Sequence, residues 1–342
     1  MYTDTMLTYK RLSRKPAAFK SITGISLDEF QSLLEAVRPR YQTSEQQRLA
    51  RADRKRAPGG GAKSRHDLTE RLLMTMIWLR LYLTCEAVGV LFDVDKSTVS
   101  RYTCPILLIL QELGADTLGW PEEAQALVTT DSDTGTPTDS SNNTSGDDPV
   151  DTTNLPPPPP GTRVCSDGVA IVDATEQRVE RSHHYQTQKA HYSGKKKAHT
   201  RKTQVIVNEH GRIRDVSPSV PGSVHDATLL RQSQAADRIP PDVSAMGDSG
   251  YQGIQDDMAE RSVALPYRAS RGHPLTPEQK LHNHEISRIR IVVENTIAEL
   301  KHFRILVDVF RHAVARYDSV ILAIVGIVNR RIDRRLAALG VT

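Results

Sequence analysis

The chain has 342 residues, 38% hydrophobic and 25% charged, with 45 Lys/Arg against 41 Asp/Glu. No run of 18 or more apolar residues occurs, the N-terminus Met1-Tyr-Thr-Asp-Thr-Met lacks the layout of a signal peptide, and Cys85, Cys104 and Cys165 form no CxxC pair. A membrane span, a disulfide framework and a zinc module are therefore not expected, and a reducing cytoplasm is. The net charge of +4 is unevenly spread: residues 1–128 carry 18 bases against 15 acids, 163–342 carry 27 against 20, and 129–162 carry none against 6. Two mildly basic parts flanking an acidic one suit a partner that is a polyanion.

In chain order, Ser26 is expected to cap a helix reaching about Val37, with Leu27, Phe30, Leu33, Leu34 and Val37 on one face. A basic loop follows from Arg48 to Lys63, ending in Pro58-Gly-Gly-Gly-Ala-Lys63. Leu68 to Leu83 is apolar and long enough for a buried helix. Cys85 to Phe92, the turn Asp93-Val-Asp95, and a helix opening at Lys96 read as a helix-turn-helix, with small Ala87 at the centre of its first helix and Val94 and Val99 packed inward. The second helix then presents Lys96, Ser97, Thr98, Ser100 and Arg101, the hydroxyl and basic groups that suit phosphates and base edges.

Residues 129–162 are rich in Ser, Thr, Asp and Asn, end in Pro156 to Pro160, and hold only Val150 and Leu155 as apolar residues. Such a stretch cannot bury enough surface to offset its ordering entropy and reads as a disordered linker with a stiff proline end. The expected organisation is thus an N-terminal helical segment (1–50), a helix-turn-helix domain (51–128), the linker (129–162) and a C-terminal domain (163–342).

Beyond the linker, Val169 to Val172 is a short apolar strand ending at Asp173, and Thr203 to Val216 reads as a hairpin turning at Gly211. Asp226 to Leu230 begins a helix, Val243 to Met246 is a strand closed by Gly247-Asp248, and Pro277 to about Phe303 is a long helix. Near the C-terminus, Val320 to Val328 runs into four arginines and reads as a buried helix. The order is that of a mixed sheet flanked by helices, an α/β (α+β) domain of the ribonuclease-H-like kind, preceded by an all-α unit.

Three carboxylates stand out: Asp173 and Asp248 at strand ends and Glu294 inside the long helix. Mg²⁺ takes hard oxygen ligands and leaves positions for substrate phosphates, so two strand-borne Asp and one helix-borne Glu suit metal-assisted phosphoryl transfer. Arg290, Glu294 and Lys301, at i, i+4 and i+11, share a helix face: an acid for the metal beside bases for phosphate. Asp226 is a possible additional carboxylate, but it opens a helix, where Asp more often serves as a cap or first-turn charge. Between Asp173 and the hairpin lies a His-rich basic loop, His183 to Lys202, in which Lys195, Lys196 and Lys197 are candidate DNA contacts.

These motifs together resemble the DDE-type transposases of the bacterial insertion sequence five group, whose catalytic domain is shared with Harbinger-like transposases. The resemblance rests on Val172-Asp173-Ala-Thr-Glu176, Gly247-Asp248-Ser-Gly-Tyr251 and Arg290-x3-Glu294-x6-Lys301, supported by Gly222-Ser-Val-His-Asp226, Gly59 to Lys63 and the helix-turn-helix. It departs in having Ser287 where related groups often place a Tyr, and in the long acidic insert. It implies an enzyme that binds terminal inverted repeats of double-stranded DNA, nicks the element ends with two divalent cations (Mg²⁺, with Mn²⁺ as substitute) and joins the freed 3′-hydroxyls to target DNA. Asp173 would bridge both metals, with Asp248 on one and Glu294 on the other. A dimer on DNA and a place at the nucleoid follow from the same resemblance. A domesticated DNA-binding protein without chemistry, or a ribonuclease-H-like endonuclease acting on branched DNA, are the alternatives.

Overall fold

The structure, a computed structural model, describes residues 7–50, 64–121, 168–258 and 261–341. The basic stretch 51–63, the linker 129–162 and Cys165 lie outside the described residues.

Six helices come first: α1 Tyr9–Leu12, α2 Pro16–Thr23, α3 Leu27–Leu49, α4 Leu68–Leu81, α5 Cys85–Phe92 and α6 Lys96–Ala115. The Ser26–Glu29 capping box opens α3, with Ser26 N donating to Glu29 Oε2 at 2.6 Å and Glu29 N donating to Ser26 Oγ at 3.2 Å. This helix outruns the expected end at Val37 and passes Pro39, because its apolar face ends at Val37 while the polar turns beyond need no core. Its neighbour α4 is buried from Leu72 through Leu79, as a core helix must be when apolar on all sides. The small residue that matters in the helix-turn-helix is Gly89 rather than Ala87: a Cβ at Gly89 would overlap the Val94 carbonyl oxygen, while Asp93 takes the left-handed turn at φ 53°.

Seven strands form one sheet: β1 Val169–Arg178, β2 Tyr192–Ser193, β3 Ala198–Val207, β4 Ile213–Val216, β5 Val220–Pro221, β6 Ser244–Met246 and β7 Val263–Ala264. The order is β2-β3-β1-β6-β7, with β4 and β5 also on β3. β1 pairs antiparallel with β3 and parallel with β6, and β6 pairs parallel with β7. Helices α7 Tyr185–His191, α8 Asp226–Gln232, α9 Ala235–Arg238, α10 Pro277–Lys301 and α11 Tyr317–Ala338 complete the chain. This is a ribonuclease-H-like mixed sheet, and the hairpin turns at Gly211 (φ 80°) as its sequence requires.

Strand alternation splits the core. Val169 and Ile171 point, with Val205, Val207 and Met246, into the larger cluster shared with α4, α6, α10 and α11, while Ala170, Val172 and Ala245 point to the smaller one beneath α8. The helical half and the sheet half therefore share one apolar core. They are locked where α6 crosses α11: a Cβ on Gly114 would overlap the Leu322 carbonyl oxygen, and one on Gly326 would press on Gly114 Cα at 2.6 Å. Beside that crossing, buried Asn329 accepts from Ile213 N (2.9 Å) and donates to Ile213 O (2.9 Å) and Thr117 Oγ1 (3.0 Å). The expected buried helix at Val320–Val328 lies within α11. Among the described residues no helix is long and apolar enough to cross a membrane.

Candidate active site

Strand register brings the first two carboxylates side by side. In the parallel β1–β6 pair, Val169, Ala170 and Ile171 face Ser244, Ala245 and Met246. Asp173 and Asp248 lie two residues beyond the last of these pairs, on the continuation of the same register. Both therefore stand where the parallel pair ends, at the carboxyl ends of its strands, the edge at which α/β sheets bind ligands. Asp173 is not at the end of its own strand, as its apolar run suggested. β1 continues to Arg178 as a two-strand ribbon with β3, where Glu176 accepts from Thr200 and Gln177 Nε2 donates to the Ile305 and Asp308 carbonyls.

Asp173 Oδ1 accepts from Ala174 N at 2.7 Å, and Oδ2 faces Arg290 Nη2 at 3.4 Å. Burial raises its pKa above the ordinary carboxylate value and Asp248 pushes the same way, against the Ala174 amide, Arg290 and Lys195. Asp248 caps a short 3-10 turn, Ser249–Tyr251, its Oδ1 accepting from Gly250 N at 2.7 Å.

The α10 helix reaches the site because Ile286, Ile289, Val293, Ile297 and Leu300 seat it in the core, turning Arg290, Glu294 and Lys301 away from that stripe. Ile291, on the same helix, is exposed. Arg290 Nη2 lies 3.4 Å from Asp173 and 3.7 Å from Glu294, whose side chain is 56% exposed. Lys301 has its pKa lowered by desolvation and by Lys196, with Asp173 and Glu176 opposing, so all four groups lie within electrostatic reach. Lys195, Lys196 and Lys197 are exposed on the turn between β2 and β3, with Lys197 at φ 50°.

Asp226 belongs to a different constellation. Lys202 Nζ donates to Asp226 Oδ1 at 2.7 Å and to Val224 O at 2.6 Å, with Glu176 Oε1 at 3.7 Å. Thr200 Oγ1 donates to Glu176 Oε2 at 2.8 Å. Lys202, the last residue of the expected basic loop, is instead buried in β3. The other face of Asp226 meets Asp248 across Gly250, where a Cβ would come within 2.7 Å of Asp226 Oδ2 and 2.8 Å of Asp248 Oδ1. Tyr251, the last residue of the Gly247-Asp248 motif, is fully buried with a hydroxyl that has no hydrogen-bond partner among the described residues. Burial drives its pKa well up, with Asp226, Asp173 and Asp248 acting in the same direction.

Among the described residues no three acids, His or Cys are gathered as a closed metal cage. The donor chemistry nonetheless fits a hard divalent cation: Asp173 and Asp248 are neighbouring carboxylates, and Glu294 is an exposed third one on the facing helix. In the helix-turn-helix, Ser97, Ser100 and Arg101 are exposed, Lys96 pairs with Glu86 at 3.0 Å, and Arg101 Nη2 donates to Thr98 Oγ1 at 2.9 Å.

A helix-turn-helix thus precedes a ribonuclease-H-like sheet that carries acids at its carboxyl edge. Residues 172–329 match the family described as DDE superfamily endonuclease, and residues 67–114 match the one described as helix-turn-helix of DDE superfamily endonuclease. Both regions are thus similar to the DDE superfamily of endonucleases. It is 25% identical over 320 residues to the probable transposase for insertion sequence element IS702 of Microchaete diplosiphon, covering 91% of this chain and 93% of that protein. No solved structure matches the chain.

Proposed function

We propose that the protein is a DDE transposase that binds the terminal inverted repeats of its element through the helix-turn-helix, cleaves DNA strands at the element ends and transfers them to target DNA. The observation that carries this reading is the shared register of Asp173 and Asp248, with Glu294 held opposite by α10. Asp173, Asp248 and Glu294 are the proposed ligands of two divalent cations, Mg²⁺ with Mn²⁺ as substitute. When bound, such cations lower the pKa of water or of a 3′-hydroxyl and neutralise charge at phosphorus.

The chain's own residues do the positioning. Arg290 and Lys301 on α10, with Lys195, Lys196 and Lys197 on the facing turn, place cations around the acids where a scissile phosphate must sit. Lys96, Ser97, Thr98, Ser100 and Arg101 form the proposed DNA-reading face, of which Ser97, Ser100 and Arg101 are exposed. Asp226, tied to Lys202, is assigned as a counter-ion and not as a metal ligand. A dimer on DNA at the nucleoid is part of the same proposal.

The test is cleavage of duplex DNA carrying the element's terminal repeats, with Mg²⁺ or Mn²⁺. Cleavage is expected from the natural chain and abolished by Asp173→Ala and Glu294→Ala, and unchanged activity in either variant refutes the assignment. Repeat-specific binding without metal-dependent cleavage would make the protein a DNA-binding derivative. Cleavage of branched DNA without repeat preference would make it a resolving nuclease.

A further inference from the structure

One nitrogen serves two of the three acids. Arg290 Nη2 lies 3.4 Å from Asp173 Oδ2 and 3.7 Å from Glu294 Oε1. Both separations exceed the ~2.7–2.9 Å of a well-formed charge-assisted hydrogen bond. The arginine is only 16% exposed, yet its Nε has no partner among the described residues. A buried guanidinium normally spends its fork of donors on bidentate pairing, and this one does not. It is held in place by α10, which is anchored by Ile289, Val293 and Ile297, and only weakly by the acids it neutralises.

We propose that Arg290 is a resident counter-cation of the acidic site, which a divalent cation must displace from Asp173 and Glu294 in order to bind. This inference rests on the metal-site reading above. Cation and guanidinium compete for the same carboxylate oxygens, and the displaced arginine becomes the donor available to a phosphate. Metal loading and phosphate capture are then two outcomes of one side-chain movement. Glu294 is exposed and can rotate, while Asp173 is fixed by its strand and by the Ala174 amide, so the movement falls to Arg290 and Glu294.

Lys301 supplies the internal comparison. It lies within electrostatic reach of Asp173 and Glu176 but forms no ion pair with a described carboxylate, so it adds positive charge without occupying the ligand positions.

The experiment is Mn²⁺ titration of the full chain without DNA, read from the electron paramagnetic resonance signal of free Mn²⁺, with thermal melts to show each variant folded. Arg290→Gln is expected to bind Mn²⁺ about tenfold more tightly than the natural chain, because a unit charge competing at ~4 Å has been removed. Lys301→Gln is expected to change affinity less than about threefold, a charge outside the ligand positions being better screened. Asp173→Asn and Glu294→Gln should weaken binding by about tenfold or more, each losing a ligand. If those two leave affinity unchanged, the metal-site reading fails and this inference goes with it. If they weaken binding but Arg290→Gln is no tighter than the natural chain, the counter-cation role alone is overturned. Equal tightening in Arg290→Gln and Lys301→Gln overturns it too, since general charge would then be the cause.

Discussion

Replacing Lys202 by Met is the most informative perturbation of the buried network behind the acids. The ammonium donates to Asp226 at 2.7 Å and to Val224 O at 2.6 Å, and its side chain is 9% exposed, against 18% for Asp226 and 6% for Glu176. Methionine preserves the stem but leaves both carboxylates without their cation. The gross attraction is about 6 kcal/mol for the closer pair at an effective dielectric of ~20, but most of that is offset by desolvation. The net cost of removing one partner from a buried pair is about 3–5 kcal/mol, about a fifth or more of the ~5–15 kcal/mol that stabilises a typical domain. Urea unfolding at pH 7 should therefore show a large fall in the midpoint. Because the pair is buried, the loss should be nearly the same at ~0.05 M and ~0.5 M salt. Adding Asp226→Asn to Lys202→Met should recover about 2 kcal/mol, since the stranded charge is gone. A Lys202→Met variant within about 1 kcal/mol of the natural chain, or a double variant no more stable than the single one, would refute the assignment of Asp226 as a counter-ion.

Tyr251→Phe should raise stability by about 1 kcal/mol, because the hydroxyl removed is buried without a partner; a loss in thermal melts would show that the hydroxyl is satisfied. Asp173→Asn should raise the melting temperature at pH 7 by about 2 °C per kcal/mol of relieved carboxylate burial. Its sign with pH is fixed: the folded pKa is raised, so the ionised group is unfavourable above that pKa and the advantage of Asn disappears as pH falls through the ordinary carboxylate range near 3.8. A gain that grows on acidification would contradict this. Gly89→Ala should abolish repeat-specific binding in a mobility-shift assay, because the turn carbonyl of Val94 has no room for a methyl group. Undiminished binding would show that the turn is not what presents the recognition helix.

What the sequence made legible was local. The cap at Ser26, the turn at Asp93 and the helix carrying Arg290 and Glu294 are each specified by neighbours within four residues. The readings that failed depended on partners far along the chain. Val169 to Val172 looked like a complete strand because Ala174 to Arg178 are mostly polar, and only their pairing with Thr200 to Gln204 explains why they stay extended. Lys202 sits in a run of cations that reads as solvated; its partners Glu176 and Asp226 are on β1 and α8, and no periodicity announces them. The Asp173–Asp248 adjacency is a consequence of parallel register, which neither strand encodes alone.

The glycine contact between Gly114 and Gly326 fixes the point at which α6 rests on α11. The 20-residue helix α6 begins at the proposed DNA-reading turn and ends one residue beyond this crossing. At 1.5 Å per residue it spans about 30 Å, so a tilt of ~5° at the crossing would carry its first turn by about 2.5 Å, most of a base-pair step. On the proposed function, the distance between the bases read and the phosphodiester cut would depend on how closely these two backbones touch, and enlarging either glycine would change it.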